Sequence, residues 1–399
     1  DIDGDTLPDL CGRGPDGVRC ALAPDLATVV NGPELSDAVG WADDDNWPTL
    51  RFGDVTGDGL ADLCARANAG IRCWPSTGSG FGSSFVGPEL SDANGWDQPS
   101  AFGTLALADV TGDGLDDVCA RGPAGVSCWP SLGSSFGPPI PGPLTTSGAG
   151  PEMTDALGWS RPLYYGTLRW GDITGDGRAD LCARAAAGIL CWPSTGDGFG
   201  PRIPAPEWSD AAGWDALSHW SSIRLLDLDG DRRADLCGRD ADGVVCHLST
   251  GDGFGPALRG PAWSDANGWG DWSNASTLRF ADLDGDGLLD VCARADAGIR
   301  CALNVGDGFG AAISGPDLSD DGSWDLQRFH STLRLADVTG DGRADLCGRA
   351  WSAVRCWPFD GVGFGASFDG PGWGETAGWG APSAYGTLRL VTPIPPPPI

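Results

Sequence analysis

Short stretches of alternating hydrophobic and polar residues recur along the chain. In one representative repeat, residues 49–54, 61–66 and 70–75 each read as a β-strand, and a fourth, outer strand is expected near residues 83–86. Short turns join these stretches, and no long amphipathic helix interrupts them. Each repeat therefore predicts a small antiparallel sheet of four strands.

Seven such repeats favour a closed ring. Four antiparallel strands repeated seven times predict an all-β, seven-bladed β-propeller over residues 1–391. The chain begins inside a repeat, and residues 387–390 have the sequence of a first strand. We therefore expect the C-terminal strand to complete the N-terminal blade, which leaves no open edge. Residues 392–399 are rich in proline and predict a stiff tail or linker.

A nine-residue loop follows each predicted first strand. Its copies begin at Asp1, Asp54, Asp109, Asp172, Asp227, Asp282 and Asp337, at spacings of 53, 55, 63, 55, 55 and 55 residues. Oxygen-bearing side chains occupy its first, third, fifth and ninth positions, and glycine usually occupies the fourth and sixth. This pattern suits a hard cation such as calcium. The candidate ligands are Asp1, Asp3, Asp5 and Asp9; Asp54, Thr56, Asp58 and Asp62; Asp109, Thr111, Asp113 and Asp117; Asp172, Thr174, Asp176 and Asp180; Asp227, Asp229, Asp231 and Asp235; Asp282, Asp284, Asp286 and Asp290; Asp337, Thr339, Asp341 and Asp345.

We expect up to seven structural calcium ions in these loops. The alternative is a merely polar turn, but that does not explain four oxygen ligands recurring in register. EF-hands are excluded, because position twelve carries no acid and the loops lie between strands. Thr6 and Arg232 replace the glycine at position six, so the first and fifth sites should be the weakest.

The 14 cysteines fall into seven pairs, each nine positions apart. The pairs are 11/20, 64/73, 119/128, 182/191, 237/246, 292/301 and 347/356. A two-residue turn between the second and third strands places each pair directly opposite, which predicts one cross-strand disulfide per blade. Zinc is the alternative, but it requires pairs from different repeats to converge. Disulfides indicate an oxidising compartment, and we expect a secreted, extracellular protein.

The composition excludes some partners. The formal net charge is −30 and the sequence contains no lysine, which argues strongly against nucleic-acid binding. No run of 18 apolar residues is present, so we expect no membrane insertion. The oligomeric state is not predicted.

An acid four positions before a tryptophan recurs in every connection between blades. A carboxylate beside an indole is typical of sugar sites, but the same pair also suits packing between blades with the acid capping a turn. If the pair binds sugar, Asp92→Asn should weaken binding with little effect on stability. The candidate carbohydrate-binding residues are Asp37 and Trp41, Asp92 and Trp96, Asp155 and Trp159, Asp210 and Trp214, Asp265 and Trp269, Asp320 and Trp324, and Glu375 and Trp379.

A second set of tryptophans follows the second cysteine in four blades. These are Trp74, Trp129, Trp192 and Trp357. We expect them to pack beside the disulfide.

The loop pattern Asp-x-(Asp/Thr)-Gly-Asp-Gly-x-x-Asp resembles the FG-GAP (VCBS) repeat of integrin α-subunit propellers. The whole repeat, with its Gly-Trp connection and its Asp-Gly-Phe-Gly turn at residues 197–200, is similar to that of mushroom lectins of the Psathyrella velutina type. This resemblance implies seven blades, bound calcium, and pockets for N-acetylglucosamine or sialic acid between consecutive blades. It favours sugar binding over packing for the acid–tryptophan pairs.

The sequence thus predicts a multivalent lectin. The alternative is an integrin-like interaction or adhesion propeller, or the recognition module of a larger secreted protein. The three histidines are scattered, and no nucleophile motif or metal-binding histidine pair is present, so we expect no enzymatic activity. Polysaccharide cleavage by a carboxylate pair is a third alternative.

Overall fold

The computed structural model describes residues 1–148 and 150–392 and contains seven β-sheets in a ring. At five of the seven blade boundaries the first strand contacts the first strand of the next blade, so these short strands lie innermost, around the axis. The predicted seven-bladed propeller is confirmed. Apart from Thr392, the predicted proline-rich tail lies outside the described residues.

The strands follow the order of the repeats. Blade 1 contains β1 (Asp9–Gly14), β2 (Gly17–Ala21) and β3 (Val29–Asn31); blade 2, β4 (Arg51–Gly53), β5 (Asp62–Ala67), β6 (Gly70–Trp74) and β7 (Phe85–Val86); blade 3, β8 (Ala106–Ala108), β9 (Asp117–Gly122), β10 (Gly125–Trp129) and β11 (Ile140–Pro141); blade 4, β12 (Arg169–Gly171), β13 (Asp180–Ala185) and β14 (Gly188–Trp192); blade 5, β15 (Arg224–Leu226), β16 (Asp235–Asp240), β17 (Gly243–His247) and β18 (Leu258–Arg259); blade 6, β19 (Arg279–Ala281), β20 (Asp290–Ala295), β21 (Gly298–Ala302) and β22 (Ile313–Ser314); blade 7, β23 (Arg334–Ala336), β24 (Asp345–Arg349), β25 (Val354–Trp357) and β26 (Phe368–Asp369); β27 (Arg389–Val391) returns to blade 1.

Single helical turns form the connections between blades. The α-helices are α1 (Pro99–Phe102), α2 (Pro162–Tyr165), α3 (Leu217–Trp220), α4 (Trp272–Ala275), α5 (Gln327–His330) and α6 (Pro382–Tyr385). Turns of 3-10 helix cover Asp37–Val39, Trp47–Thr49, Asp92–Asn94, Asp155–Leu157, Asp210–Ala212, Asp265–Asn267, Asp320–Gly322 and Glu375–Ala377. None of the helices in the described ranges is long or apolar enough to cross a membrane.

The C-terminal strand closes the ring as predicted. Strand β27 pairs antiparallel with β1 in the register Asp9↔Val391, Leu10↔Leu390 and Cys11↔Arg389. Blade 1 therefore has the sheet order β27-β1-β2-β3 and is complete only when both ends of the domain meet.

Two strand predictions need adjustment. The first strand of blade 2 is shorter than residues 49–54, because Thr49 belongs to a 3-10 turn and its hydroxyl donates to the Asn46 carbonyl at 2.6 Å. Blade 4 contains three strands, and only a bridge between Cys191 and Ile203 stands in the place of the fourth. Ala205 explains this difference: every other blade carries a glycine at this position, and a Cβ added at the equivalent Gly87 would come within 2.7 Å of Ile71 on the neighbouring strand.

The seven predicted disulfides are confirmed. Each joins residues that are directly opposite in register, such as Cys64 and Cys73, whose Cα atoms are 4.1 Å apart. No free cysteine remains in the sequence. The apolar cores lie mainly between neighbouring blades: Leu283 and Ile299 of blade 6, for example, share a cluster with Leu333 and Leu346 of blade 7. The blades therefore depend on one another for burial.

Candidate functional site

The acidic loops fold around their own first carboxylate. In blade 2, Asp54 accepts hydrogen bonds from the amides of Gly57 at 2.6 Å and Gly59 at 2.8 Å. Both glycines have positive φ, 80° and 85°, which turns their N–H groups inward. At the equivalent sixth position, Thr6 and Arg232 also adopt positive φ, 72° and 70°. The predicted strained turn is therefore present in the first and fifth loops.

The ninth-position aspartate joins the loop to the sheet. Asp62 Oδ2 accepts from the amides of Val55 and Thr56, both at 3.0 Å, and Oδ1 accepts from the Ser76 amide at 2.7 Å. The same position is fully buried in every blade. Burial raises the pKa of this carboxyl to about 6 in Asp62 and to about 7 in Asp235. A bound cation would favour the charged form and reverse this shift.

Three loops bring three carboxylates together. Their ligand atoms lie within 4.8 Å of one another in the clusters Asp1, Asp3 and Asp5; Asp227, Asp229 and Asp235; and Asp282, Asp284 and Asp290. In the other loops threonine replaces the third-position acid, and Thr56 Oγ1 lies 3.4 Å from Asp54 Oδ1. These all-oxygen donor sets fit calcium better than zinc or copper, which prefer nitrogen and sulfur.

The acid of every connection pairs with a buried arginine. The pairs are Arg13–Asp37, Arg66–Asp92, Arg121–Asp155, Arg184–Asp210, Arg239–Asp265, Arg294–Asp320 and Arg349–Glu375. These arginine side chains are 0–1% exposed, whereas Asp92 is 34% exposed. Each arginine also donates from Nε to a connection carbonyl; for Arg66 the acceptor is Leu90 at 2.8 Å. The acid therefore neutralises a buried charge.

Sequence analysis missed these arginines. The signal was present, because an arginine stands two positions after the first cysteine in all seven repeats. The pair also corrects one expectation. Asp92→Asn should lower stability, since it would remove one of the two counter-charges of buried Arg66 and leave only Asp45.

The connection indoles pack against other aromatic rings and against glycines of the second strand. Trp379 stacks on Trp373 with a centroid distance of 4.4 Å, and a Cβ built on Gly12 would come within 3.0 Å of its other side. Trp214 likewise stacks on Trp208 at 4.0 Å and lies against Gly238. Six of the seven connection tryptophans are buried, and only Trp96 is half-buried. The geometry favours packing for these indoles, and sugar binding by the acid–tryptophan pairs stays a prediction.

The tryptophans after the second cysteine meet the connection indoles. Trp74, Trp129 and Trp357 pack edge-on against Trp41, Trp96 and Trp324, at centroid distances of 6.3–6.5 Å. Trp192 is 1% exposed and belongs to the same apolar cluster as Trp159. These residues therefore pack between blade and connection.

A cavity of about 480 Å³ lies at the connection between blades 3 and 4. It is lined by Glu152, Leu157, Gly158, Trp159, Arg161, Tyr164, residues 185–187, Leu190 and Arg202. Arg161 and Arg202 are exposed and make no ion pair among the described residues. Arg161 lies over the Tyr164 ring at 5.1 Å, and the Tyr164 hydroxyl donates to Asp210 at 3.1 Å. The cavity thus joins an aromatic wall to two cationic groups.

Residues 282–348 match the family model of the FG-GAP-like repeat. The matched segment is similar to an FG-GAP-like repeat. It runs from the acidic loop of blade 6 into the disulfide strand of blade 7, so the predicted resemblance is confirmed at the level of the repeat. No curated protein gives a significant match to the sequence.

Among solved structures, the fold is similar to that of a lectin from Agrocybe aegerita that recognises non-reducing terminal N-acetylglucosamine. The TM-score is 0.82 at 23% identity, and the match covers 98% of this chain and 95% of the lectin. This likeness shows a shared fold. Weaker matches include a Photorhabdus luminescens Tc holotoxin pore (TM-score 0.47, 20% identity, 84% of this chain and 15% of that one) and a putative 6-phosphogluconolactonase from Bacteroides fragilis (TM-score 0.43, 9% identity, 92% and 96%).

Proposed function

We propose that this protein is a carbohydrate-binding propeller with sugar sites at the connections between blades. The observation that carries the proposal is the cavity beside Trp159 and Tyr164, which combines apolar walls with polar groups at its rim. Its volume of about 480 Å³ lies within the range of about 300–1,000 Å³ typical of small-molecule sites. The fold shared with the lectin that recognises terminal N-acetylglucosamine supports carbohydrate binding.

The charge of this cavity favours an acidic sugar. Arg161 and Arg202 supply two guanidinium groups, and Glu152 is the one acid that lines the cavity. A guanidinium binds a carboxylate through two parallel hydrogen bonds. We therefore propose sialic-acid-type glycans for this connection. N-acetylglucosamine-type glycans are proposed for the connections without such arginines.

Calcium, secretion and multivalency belong to the same proposal. Each loop offers three or four side-chain oxygens to one ion, and an ion in each loop would stabilise the turn between the first and second strands. The seven disulfides are typical of extracellular proteins. Several weak sites around one ring would bind a glycan-bearing surface with high avidity.

A glycan array in calcium-containing buffer tests the proposal. We expect binding to glycans with terminal N-acetylglucosamine or sialic acid. The double variant Arg161→Ala/Arg202→Ala should lose the sialylated glycans and keep the neutral ones. Arg72→Ala serves as a control, because Arg72 is also exposed and without an ion pair but lies on β6, away from the cavity.

The array also separates the alternatives. Silence of the folded, calcium-loaded protein would refute carbohydrate binding and favour an integrin-like interaction propeller. If Arg72→Ala and the double variant lose binding to sialylated glycans equally, the change in net charge explains the loss and the cavity does not. Shortened glycans recovered after incubation would favour the polysaccharide-cleaving alternative.

A further inference from the structure

Six arginines form a ring at the centre of the propeller. They occupy the first position of the innermost strand in six blades and are Arg51, Arg169, Arg224, Arg279, Arg334 and Arg389; blade 3 carries Ala106 there. Because the innermost strands surround the axis, these side chains start from equivalent points around one channel. The placement is independent of the connections that carry the proposed sugar sites.

The arginine ring has no acidic partners. None of the six makes an ion pair with a carboxylate in the part of the chain that the structure describes, although the protein carries a net charge of −30. The guanidinium groups donate to backbone carbonyls instead. Arg279, for example, donates from Nε to Leu333 at 3.0 Å and from Nη1 to Ser276 and Leu278. Its Nη2 group has no acceptor among the described residues.

The six positive charges interact mainly with one another. Burial, together with repulsion from Arg224 and Arg389, lowers the pKa of Arg279 to about 9. Burial also lowers the pKa of Arg334, with added effects from Arg279, Arg389 and Arg224. Arg389 lies two blades away from Arg279, so the mutual effect extends beyond neighbours and indicates that the groups converge.

A cavity of about 410 Å³ opens beside four of these arginines. It is lined by Arg224, Arg279, Arg334 and Arg389, together with Ser221, Ser276, Ser331, Gln327, His330 and Trp272. The buried hydroxyl of Ser331 has no hydrogen-bond partner among the described residues. Every polar side chain in this lining carries a hydrogen-bond donor, and none is an acid. The size is within the range of small-molecule sites, about 300–1,000 Å³.

We propose that the axial channel binds a small multivalent oxyanion on the arginine ring. Such an anion would supply acceptors for Ser331 and for the Nη2 groups of Arg224, Arg279 and Arg389, and it would offset the repulsion among the arginines. Sulfate, phosphate and carboxylate groups share this chemistry, and the guanidinium fork recognises each of them through paired hydrogen bonds. A protein with strong negative charge does not attract anions nonspecifically, so binding would report the site itself.

Titration calorimetry with myo-inositol hexasulfate tests the proposal. Sulfate groups bind calcium weakly, so the probe leaves the acidic loops intact. Using the calcium-loaded protein at physiological ionic strength, we expect one saturable site per chain, weaker binding of inorganic sulfate, and none of neutral myo-inositol. Inorganic phosphate and citrate are then tested as competitors of the hexasulfate, each with calcium kept in excess. The stronger competitor shows whether the site prefers phosphate or carboxylate ligands.

Three variants make the test specific. Arg279→Ala places in blade 6 the residue that blade 3 carries naturally, and it should weaken the hexasulfate at least about tenfold, or about 1.4 kcal/mol. Arg300→Ala removes an equal charge from β21 of the same blade, outside the cavity, and should leave the affinity within about twofold. Ala106→Arg completes the ring and should tighten binding while lowering the melting temperature of the ligand-free protein.

A purely structural role for the ring gives a different result. In that case Arg279→Ala lowers the melting temperature because the bond to Leu333 of blade 7 is lost, but no variant changes the binding of the anion. Absence of a saturable site in the wild-type protein would overturn the proposal. Equal weakening in Arg279→Ala and Arg300→Ala would also overturn it, because general electrostatic attraction would then explain the binding.

Discussion

Replacing Asp116 with alanine should stabilise the protein. Asp116 is the eighth residue of the third loop, where four other blades carry alanine. Its amide donates to the Asp54 carbonyl of blade 2 at 2.7 Å, and its carboxylate lies over Gly53, where an added Cβ would come 2.2 Å from Oδ2. The carboxylate accepts no hydrogen bond from the described residues. An unpaired acid is thus held at the boundary between two blades.

The size of the effect follows from the pKa of this carboxyl. Burial, together with repulsion from Asp109, Asp54 and Asp117, raises the pKa from 3.8 to about 7. A shift of roughly three units corresponds to at most about 4 kcal/mol above pH 7. Asp116 is partly exposed and calcium in the neighbouring loops would favour its charged form, so we expect a gain of about 1–2 kcal/mol in chelator and less in calcium.

The sign of the pH dependence is fixed by the direction of the shift. Because the folded pKa lies above the unfolded one, the native state loses stability as pH rises from about 4 to about 7. The advantage of Asp116→Ala should therefore be near zero at about pH 4 and largest at about pH 8. Denaturant unfolding across this range measures it.

Asp242→Ala is the matched control. Asp242 is an exposed hairpin residue, and the equivalent position is alanine in four other blades, so the variant removes the same charge without relieving burial. It should change stability by less than about 0.5 kcal/mol at any pH. An Asp116→Ala variant that is less stable than the wild type above pH 7, or whose gain does not depend on pH, would refute the reasoning.

The remaining predictions concern the loops and the connections. Chelation should lower the melting temperature, since an ion at a hundred times its Kd stabilises by about 2.7 kcal/mol per site, and magnesium should restore it poorly; an unchanged melting temperature after verified calcium removal would contradict a structural ion. Arg232→Gly should stabilise the fifth loop by about 1 kcal/mol, because a positive φ of 70° strains any side chain; calorimetry should show tighter calcium binding there, and the same affinity would argue against strain. Asp92→Asn should cost about 1–2 kcal/mol, because it removes one of the two counter-charges of Arg66 and leaves only Asp45 at 3.4 Å; Asp92→Glu is the control, because blade 7 carries glutamate at this position, and equal melting temperatures for all three proteins would show that the ion pair does not stabilise the fold.

The fold could be predicted because its information is local and repeated. Each blade carries its own alternating strands, its acidic loop and its cysteine pair, and seven copies in register leave few other architectures. Blade 4 departs from the pattern for an equally local reason, since Ala205 replaces the glycine that lets the fourth strand approach the third in every other blade. The Asp–Trp pairs could be found in the same way, as a recurring pattern within each connection.

The roles of the Asp–Trp pairs could not be predicted from spacing, because the residue that determines each role lies elsewhere in the chain. Asp92 is 26 residues from Arg66, and Asp155 is 34 residues from Arg121. The enclosure of Trp379 depends on Gly12, at the opposite end of the sequence. Spacing alone cannot show that both faces of an indole are covered, so it left packing and sugar binding open. The arginine ring acquires meaning only after closure brings six distant positions around one axis.

The arginines of the protein include two periodic sets, one in the connections and one in the ring, and the two sets have different partners. The sequence contains 25 arginines and no lysine; seven are buried beside the connection acids and six form the ring, so more than half have a repeated place. In the connections, one planar guanidinium group donates to both a carboxylate and a backbone carbonyl, which fixes the turn before each blade. In the ring, the same group bonds only carbonyls and leaves donors free. Each repeat supplies an acidic partner for its connection arginine but, within the described ranges, none for a ring arginine. The arginines at the axis are therefore candidates for binding an external anion.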